Sequence, residues 1–270
     1  MTEFSGRGDP NRSMALLWGA PQPPTRGPKP ELTAGEIASA GIELADAEGL
    51  DALSMRKVAE KLGKSAMSLY TYVPGKAELL DLMLDTVYAE LPTDYSLEQG
   101  WRAALEASAR AGWEFYQRHP WVLQISGVRS ILGPHETDVH ETQLRLVDGL
   151  GLSPVEMTRV VTVVSNFVRG AAKVMADSRV AERTTGISDT EWWNARAPLM
   201  GKFQKNQKDR YPIITRIAST QTSDEGEWDE DDTSSYTEKL ALDSFEFGLQ
   251  RLLDGIAAFI DSPSGVLTQR

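Results

Sequence analysis

The sequence predicts an all-α fold, and three observations carry that prediction. From Thr33 onward apolar residues return every three or four positions, the spacing of one helix face, and hardly any run alternates as a half-buried strand does. Serine or threonine stands three residues ahead of Glu or Gln at Thr33/Glu36, Ser96/Gln99, Ser153/Glu156 and Ser188/Glu191, the pattern in which a helix start satisfies two orphan amides at once. With 41% hydrophobic and 25% charged residues the chain is of ordinary globular composition, so these patterns belong to a packed core.

Taken in order, residues 1–30 hold Pro10, Pro21, Pro23, Pro24, Pro28 and Pro30 among scattered glycines and read as a flexible arm, with Leu16, Leu17 and Trp18 as candidates for docking. The Thr33 box opens a helix over 33–48. Short apolar patterns place helices at 54–62 and 66–73, with Gly63 allowing a sharp turn between them and Ser65 able to cap the second. A helix over 76–91 follows, and the Ser96 box opens 97–118, which His119 ends ahead of Pro120. Helices are then expected at 121–131 and 135–150. Ser153 followed by Pro154 marks the firmest start, of a long helix over 154–182, because proline's missing donor costs nothing at the first helical position. The Ser188 box opens 189–205, and a last helix covers 237–260. Between them Thr222–Ser235 carries seven acids and no base, a solvated loop. The expected domains are the arm 1–30, a compact segment 31–78 and a helical body 79–270.

Composition also bounds location and chemistry. The most apolar stretch, 160–175, is interrupted by Asn166, Arg169 and Lys173, so no bilayer span and no membrane partner is expected. The apolar run Met14–Leu17 is too short for the core of a secretory signal, and the chain is expected to be cytoplasmic. Absence of cysteine excludes disulfides and thiolate metal sites.

The net charge of -11 argues against a polyanionic partner, but its distribution does not. Between Ser54 and Lys76 stand Arg56, Lys57, Lys61, Lys64 and Lys76 against Glu60 alone, a basic island in an acidic chain. In the same segment Met55, Val58, Ala59 and Leu62 share one face, and Leu69 and Val73 return an inward face after the Gly63 turn. Two short helices must cross at a tight corner. The outward face of the second carries Ala66, Met67, Tyr70 and Thr71, small and smooth enough to lie in a DNA major groove, with Tyr70 and Lys76 placed for phosphates and Tyr72 read as core. Arg26 and Lys29 could enter an adjacent minor groove as homeodomain arms do; a plain flexible tail fits equally.

These residues resemble the DNA-binding domain of the TetR family of bacterial transcriptional repressors over roughly Leu32–Leu91. The resemblance rests on Ala47–Leu50 (Ala-Glu-Gly-Leu), on the Met-Arg-Lys-Val-Ala-Glu-Lys-Leu-Gly helix from Met55, and on Ser68–Lys76 (Ser-Leu-Tyr-Thr-Tyr-Val-Pro-Gly-Lys) leading into Leu79 and Leu80. It implies that Arg56 approaches bases or backbone, that Ala66, Met67 and Thr71 face base edges, and that Ser65, Ser68, Tyr70 and Lys76 hold phosphates, with Lys64 in the same cluster.

A weaker likeness continues through Glu141–Leu144, Phe167–Gly170 and Phe245–Leu249, which look like the regulatory domain of the tetracycline-repressor branch. Val160, Val164, Phe167, Ala171 and Val174 in one helix, and Leu242, Phe245, Leu249, Leu252, Ile256 and Phe259 in the last, alternate threes and fours as a helix-pairing seam does, with Gly248 and Gly255 allowing close approach. Periodicity alone leaves intrachain packing open; the resemblance implies a homodimer. It further implies a pocket for a small-molecule effector, with Trp101, Ser108, Gln143, Thr162 and Ser165 as candidates and Trp113 and Tyr116 nearby. Trp121 adds to an aromatic content suited to a flat apolar compound. Pro92 and Ser108 stand where the tetracycline repressor has a histidine and an asparagine, and no histidine lies near Ile131, so magnesium-tetracycline is not the expected effector.

No other chemistry competes strongly. His135 and His140 are five apart rather than four and diverge around a helix, so no metal or other cofactor is expected. No Gly-x-Ser-x-Gly elbow, phosphate-binding glycine loop or paired catalytic carboxylate stands out, and no catalysis is expected. The expected function is a DNA-binding regulator, a repressor whose homodimer binds a palindromic operator and is released by a hydrophobic or aromatic ligand. The alternatives are a regulator switched by a protein partner, docking on the acidic loop, and an all-α enzyme carrying a helix-turn-helix.

Overall fold

The computed structural model describes residues 3–19, 32–203, 207–221 and 236–262. Its elements in chain order are β1 (Glu3–Phe4), α1 (Pro10–Leu17), α2 (Ala34–Glu48), α3 (Met55–Lys61), α4 (Ala66–Leu69), α5 (Lys76–Tyr88), α6 (Gly100–Arg118), β2 (Ile125–Ser126), α7 (Pro134–Arg145), α8 (Pro154–Thr185), α9 (Asp189–Phe203), α10 (Gln207–Arg210), α11 (Pro212–Gln221) and α12 (Tyr236–Asp261). The fold is all-α. Among the described residues the only strands are β1 and β2, which pair in parallel with Glu3 opposite Ile125 and Phe4 opposite Ser126. Two compact units result, residues 1–173 with 247–270 and residues 174–246. The first unit thus joins the segment 31–78 to the helices that follow it.

In the first unit α2, α3, α4 and α5 close over Ile37, Val58, Leu69, Val73, Leu79 and Met83, all with no exposed surface. Two glycines make this possible. Gly63, at φ +64°, reverses the chain between α3 and α4, where the Lys64 amide donates to the Ala59 carbonyl at 2.9 Å. A methyl group at Gly41 would stand 2.7 Å from Met83 Sδ, so the bare backbone of α2 leaves room for the Met83 side chain of α5.

The opposite side of α5 is acidic and nevertheless buried. Glu78, Asp81 and Asp85, spaced by three and four, are 8%, 2% and 3% exposed. Buried carboxylates demand donors. The Asp9 amide donates to Glu78 Oε1 (3.1 Å), the Gly6 amide and Ser13 hydroxyl to Asp81 (2.9 and 3.2 Å), and the Glu136 amide at the start of α7 to Asp85 Oδ1 (3.0 Å). Burial pushes both aspartates above the usual carboxylate range, and the donated hydrogen bonds oppose it.

Those donors overturn the expectation of a flexible arm for part of 1–30. Asp9 caps α1 by accepting the Arg12 amide at 3.0 Å, and Pro10 sits where a missing donor is harmless. The remaining prolines, with Arg26 and Lys29, lie outside the described residues, as does the acidic stretch 222–235.

Capping boxes form at Thr33/Glu36, Ser153/Glu156 and Ser188/Glu191. Ser96 instead accepts the Glu98 amide, and α6 begins after Gln99 without a side-chain cap. The helix expected at 121–131 is a single 3₁₀ turn, Pro120–Gln124, followed by β2. Its carbonyls at Val122, Leu123 and Ile125 turn to the Arg169 guanidinium of α8 in place of further helical amides. The helix expected at 66–73 stops at Leu69, because the Tyr72 and Val73 amides both return to the Leu69 carbonyl.

In the second unit Ser178 donates to Asp189 at 3.0 Å, Arg179 pairs with Glu238 at 2.5 Å, and Arg196 lies 4.4 Å above the Trp192 ring. Its helices α10 and α11 went unforeseen, although Pro212 is an ordinary first-turn signal.

His119, which ends α6, is buried between two acids of the first unit. Its ring nitrogens lie 2.9 Å from Asp46 of α2 and 3.1 Å from Glu90, and Trp121 Nε1 donates to the same Asp46 oxygen at 2.7 Å. Burial alone would lower the imidazole pKa, but the two carboxylates together outweigh it and the net direction is upward. A raised folded pKa stabilises the protein fully below the unfolded value, about 6.5, and that contribution fades as the pH rises through the folded value. Thermal unfolding of His119→Gln is therefore expected to show a deficit of about 1–3 kcal/mol at pH 6 that shrinks by pH 9. A deficit constant or growing with pH would contradict the charged bridge.

Candidate functional site

The first site is the corner formed by α3 and α4. Ser54 starts α3 by accepting the Lys57 amide at 3.2 Å, which turns Met55, Val58 and Ala59 into the core and Arg56, Lys57 and Lys61 outward. Ser65 starts α4 in the same way through the Ser68 amide (3.2 Å), while the Ser68 hydroxyl donates back to the Ser65 carbonyl at 2.6 Å. With Leu69 fully inward, Met67 is left 77% and Tyr70 46% exposed, and Thr71 is open beside them. Ala66, expected on the reading face, is instead half-buried against the core that α2–α5 form, which with the α3–α4 corner is the reading head.

The basic island is smaller than the sequence implies, because helices bring acids to it. Arg56 pairs with Glu60 at 2.8 Å, Lys57 with Glu48 at 2.7 Å and Lys61 with Glu43 at 2.8 Å. Exposed pairs of this kind are worth at most about 1 kcal/mol, so a phosphate can displace them. Lys64 and Ser65 lie exposed at the turn. Lys76 opens α5 with its Nζ 3.8 Å from Glu3.

The second site is a half-open cavity of about 190 Å³ lined by residues of α5, α6, α7 and α8. It slightly exceeds the roughly 150 Å³ space that accommodates benzene in a protein interior. Leu105, Ala109, Phe115, Val161, Val164 and Val168 give it apolar walls. Of the residues anticipated from the sequence, Ser108, Tyr116, Gln143 and Ser165 line it, and Trp101, Trp113 and Thr162 do not. Helix geometry explains the split. Trp113 follows the lining Gly112 by a single residue and points about 100° away into the core. Thr162 follows Val161 likewise, is exposed, and donates to the Thr158 carbonyl at 2.7 Å. Trp101 lies one turn beyond Leu105, and Trp121 is spent on Asp46.

Three polar lining residues were missed: Tyr88, Glu136 and His140. Glu136, Val139, His140 and Gln143 follow the i, i+3, i+4, i+7 pattern of one helix face, a signal hidden by reading His135 and His140 as a failed metal motif. Tyr88 stacks on Phe115 with centroids 5.6 Å apart, and burial pushes its hydroxyl pKa far up, so it stays a neutral donor. Glu136 accepts the Leu132 amide at 2.9 Å and the Ser130 hydroxyl. The cavity therefore combines apolar walls with a few polar groups drawn from all four helices, a lining able to orient a small organic molecule. Among the described residues no cluster of His, Asp and Glu is placed to hold a metal ion.

A groove of about 300 Å³ runs between α8 and α12, lined by Val160, Val163, Leu252, Gly255, Ile256 and Phe259 and rimmed by Arg159 and Arg251. It draws on only part of the seam expected from periodicity. Val164 faces the cavity, and Phe167 lies so close to Gly248 that a methyl group there would stand 2.7 Å from the ring. Leu249 is fully buried within the chain, whereas Val163 and Phe247 are open.

Known proteins share both halves of this arrangement. The family described as bacterial regulatory proteins, tetR family, matches residues 37–83, and the tetracyclin repressor-like C-terminal domain matches residues 96–260. The HTH-type transcriptional repressor DrrR1 of Streptomyces coeruleorubidus is 43% identical over 266 residues, 98% of this chain and 92% of that one. The class D tetracycline repressor of Escherichia coli is 32% identical over 142 residues, 50% of this chain and 62% of its own. The TetR family protein ActR of Streptomyces coelicolor, solved in complex with actinorhodin, superposes with a TM-score of 0.65 at 24% identity, over 85% of this chain and 97% of that one. With the matched regions spanning the reading head and the helices around the cavity, and a repressor similar along nearly the whole length, the chain belongs to the TetR family of bacterial transcriptional regulators.

Proposed function

We propose that this regulator is a repressor whose homodimer holds a palindromic operator through residues 31–78 and lets go of it when a small, flat, largely apolar molecule enters the cavity of the body 79–270. The observation that carries this reading is the course of α5. The helix begins at Lys76, beside the reading corner, and ends at Tyr88, in the cavity wall. Thirteen residues at 1.5 Å each make a rigid lever of about 20 Å, so a ligand that displaces Tyr88 also tilts the head.

Arg56, Lys64, Ser65, Ser68, Tyr70 and Lys76 are assigned to phosphates and Met67 and Thr71 to base edges. Ala66 is withdrawn from the readers by its half-buried position. The α8–α12 groove supports a four-helix contact between protomers, since it is apolar within and has paired arginines at its edge. Ser108, Gln143, Ser165 and Tyr116 are the polar contacts proposed for the effector, joined by Tyr88 and His140.

Operator titrations separate positioning from reading. Lys76→Ala is expected to weaken binding evenly across sequences and to flatten the slope of log K against log salt by about 0.9, one phosphate contact. Met67→Ala or Thr71→Ala should instead change which bases are preferred, by about 1–3 kcal/mol at the position read. Unchanged operator binding in all three variants would remove the reading corner from this account.

Release is tested with a panel of planar aromatic compounds that includes actinorhodin. A compound that quenches tryptophan emission should release operator DNA over the same concentration range, and a hundredfold preference for one dimer state, about 2.7 kcal/mol, suffices. Gln143→Leu should raise the midpoint of both signals about tenfold while leaving operator affinity as it was. Release by magnesium-tetracycline at low concentration would contradict the assignment of the effector class.

A further inference from the structure

The N-terminal segment 3–18 is held at two places that are far apart in sequence and that serve the two different sites. One set of contacts grips α5: the Gly6 amide and Ser13 hydroxyl bond Asp81, the Asp9 amide bonds Glu78, and Glu3 stands 3.8 Å from Lys76. A second set, interleaved with it along the segment, grips residues 125–132: β1 pairs with β2, the Ser5 hydroxyl donates to the Arg129 carbonyl at 3.0 Å, and Trp18 Nε1 donates to the Leu132 carbonyl at 2.9 Å.

The segment 125–132 is itself tied to the cavity. Arg169, next to the lining Val168, holds the carbonyls of Val122, Leu123 and Ile125, and its guanidinium lies 5.8 Å above the ring of Tyr116. At the far end Leu132 adopts φ 56°, a backbone that a residue with a side chain keeps only when its surroundings hold it. Its amide donates to the cavity residue Glu136 and its carbonyl accepts from Trp18.

We propose that residues 3–18 are a positioning strap for the reading head. By tying the middle of α5 to 125–132, the strap fixes the point about which α5 pivots, and with it the separation at which two heads of a dimer meet DNA. The choice of Asp81 as its anchor follows from chemistry. A carboxylate 2% exposed needs its donors, and two of them come from the strap. This inference rests on the proposed dimeric operator reader, and its test distinguishes the two failures.

The full chain is compared with Asp81→Ala, which removes both acceptors, and with Asp81→Asn, which keeps an acceptor for the Gly6 amide and a donor for the Ser13 oxygen. Binding is measured to palindromes whose half-site spacing is stepped one base pair at a time, each step shifting the second half-site by about 3.4 Å. Hydrogen exchange is followed over 76–88 and 125–132. The wild type should prefer one spacing by about tenfold, and Asp81→Ala should reduce that preference to about twofold with faster exchange in both segments. Asp81→Asn should restore both. A loss of stability alone would weaken every spacing equally.

The double variant Ser13→Ala/Trp18→Phe leaves α5 intact, removes one bond to each of the two places the strap grips, and should cut the preference about threefold even if Asp81→Ala does not fold. Wild-type spacing preference and exchange in the folded variants would overturn the strap. A wild type that binds no palindrome would overturn the operator reading, and faster exchange at 125–132 on loss of the strap bonds would still support the strap.

Discussion

Burial of three carboxylates on one face of α5 is the constraint around which the N-terminal half is organised. Glu78, Asp81 and Asp85 sit where solvent hardly reaches them, and a buried carboxylate without donors costs several kcal/mol. Their partners come from α1 with the turn before it and from the first turn of α7, so satisfying them brings two separate stretches of chain onto a single helix. Burial still raises the proton affinity of Asp81 and Asp85 in the folded state. The arrangement is therefore a specifying one rather than a strongly stabilising one.

The other face of α5 is ordinary core, and the contrast explains how one helix serves two sites. Leu79, Leu80 and Met83 bind it to α2 and the reading corner through apolar contact, which is tolerant of small slides. The acidic face is held by directional hydrogen bonds, which are not. Tyr88 then carries the helix into the cavity, where a neutral hydroxyl and a stacked ring present both kinds of contact to an entering molecule. A second bridge, His119 with Asp46, Glu90 and Trp121, fixes α2 against the end of α6.

The reading head was almost wholly legible in the sequence, because its elements are local: a cap at Thr33, a glycine turn at Gly63 and apolar spacing that two short helices must obey. Half of the cavity was legible too. Ser108, Tyr116, Gln143 and Ser165 line it, while Trp101, Trp113 and Thr162 stand off the lining by a single residue or a single turn, a rotation that periodicity does not resolve. The strap and the acidic face were not legible. Proline-rich composition hides a helix begun by Pro10, and an acid every three or four residues on a helix looks solvated until donors from elsewhere in the chain are seen. Periodicity also left open which seam residues pack within the chain: Phe167 lies against Gly248, while Val160, Leu252, Ile256 and Phe259 line the groove between α8 and α12.

On the proposed reading the cavity and the α3–α4 corner are two ends of one lever. Because the chain has no cysteine, a single Asp51→Cys on each protomer, exposed and outside the residues assigned to DNA, accepts a spin label without competing sites, and the distance between the two labels reports the separation of the two corners. Operator DNA should narrow that distance to a single population, and a compound that releases the operator should move the free dimer to a different mean by several Å. The same distance distribution with and without the bound compound would contradict the account.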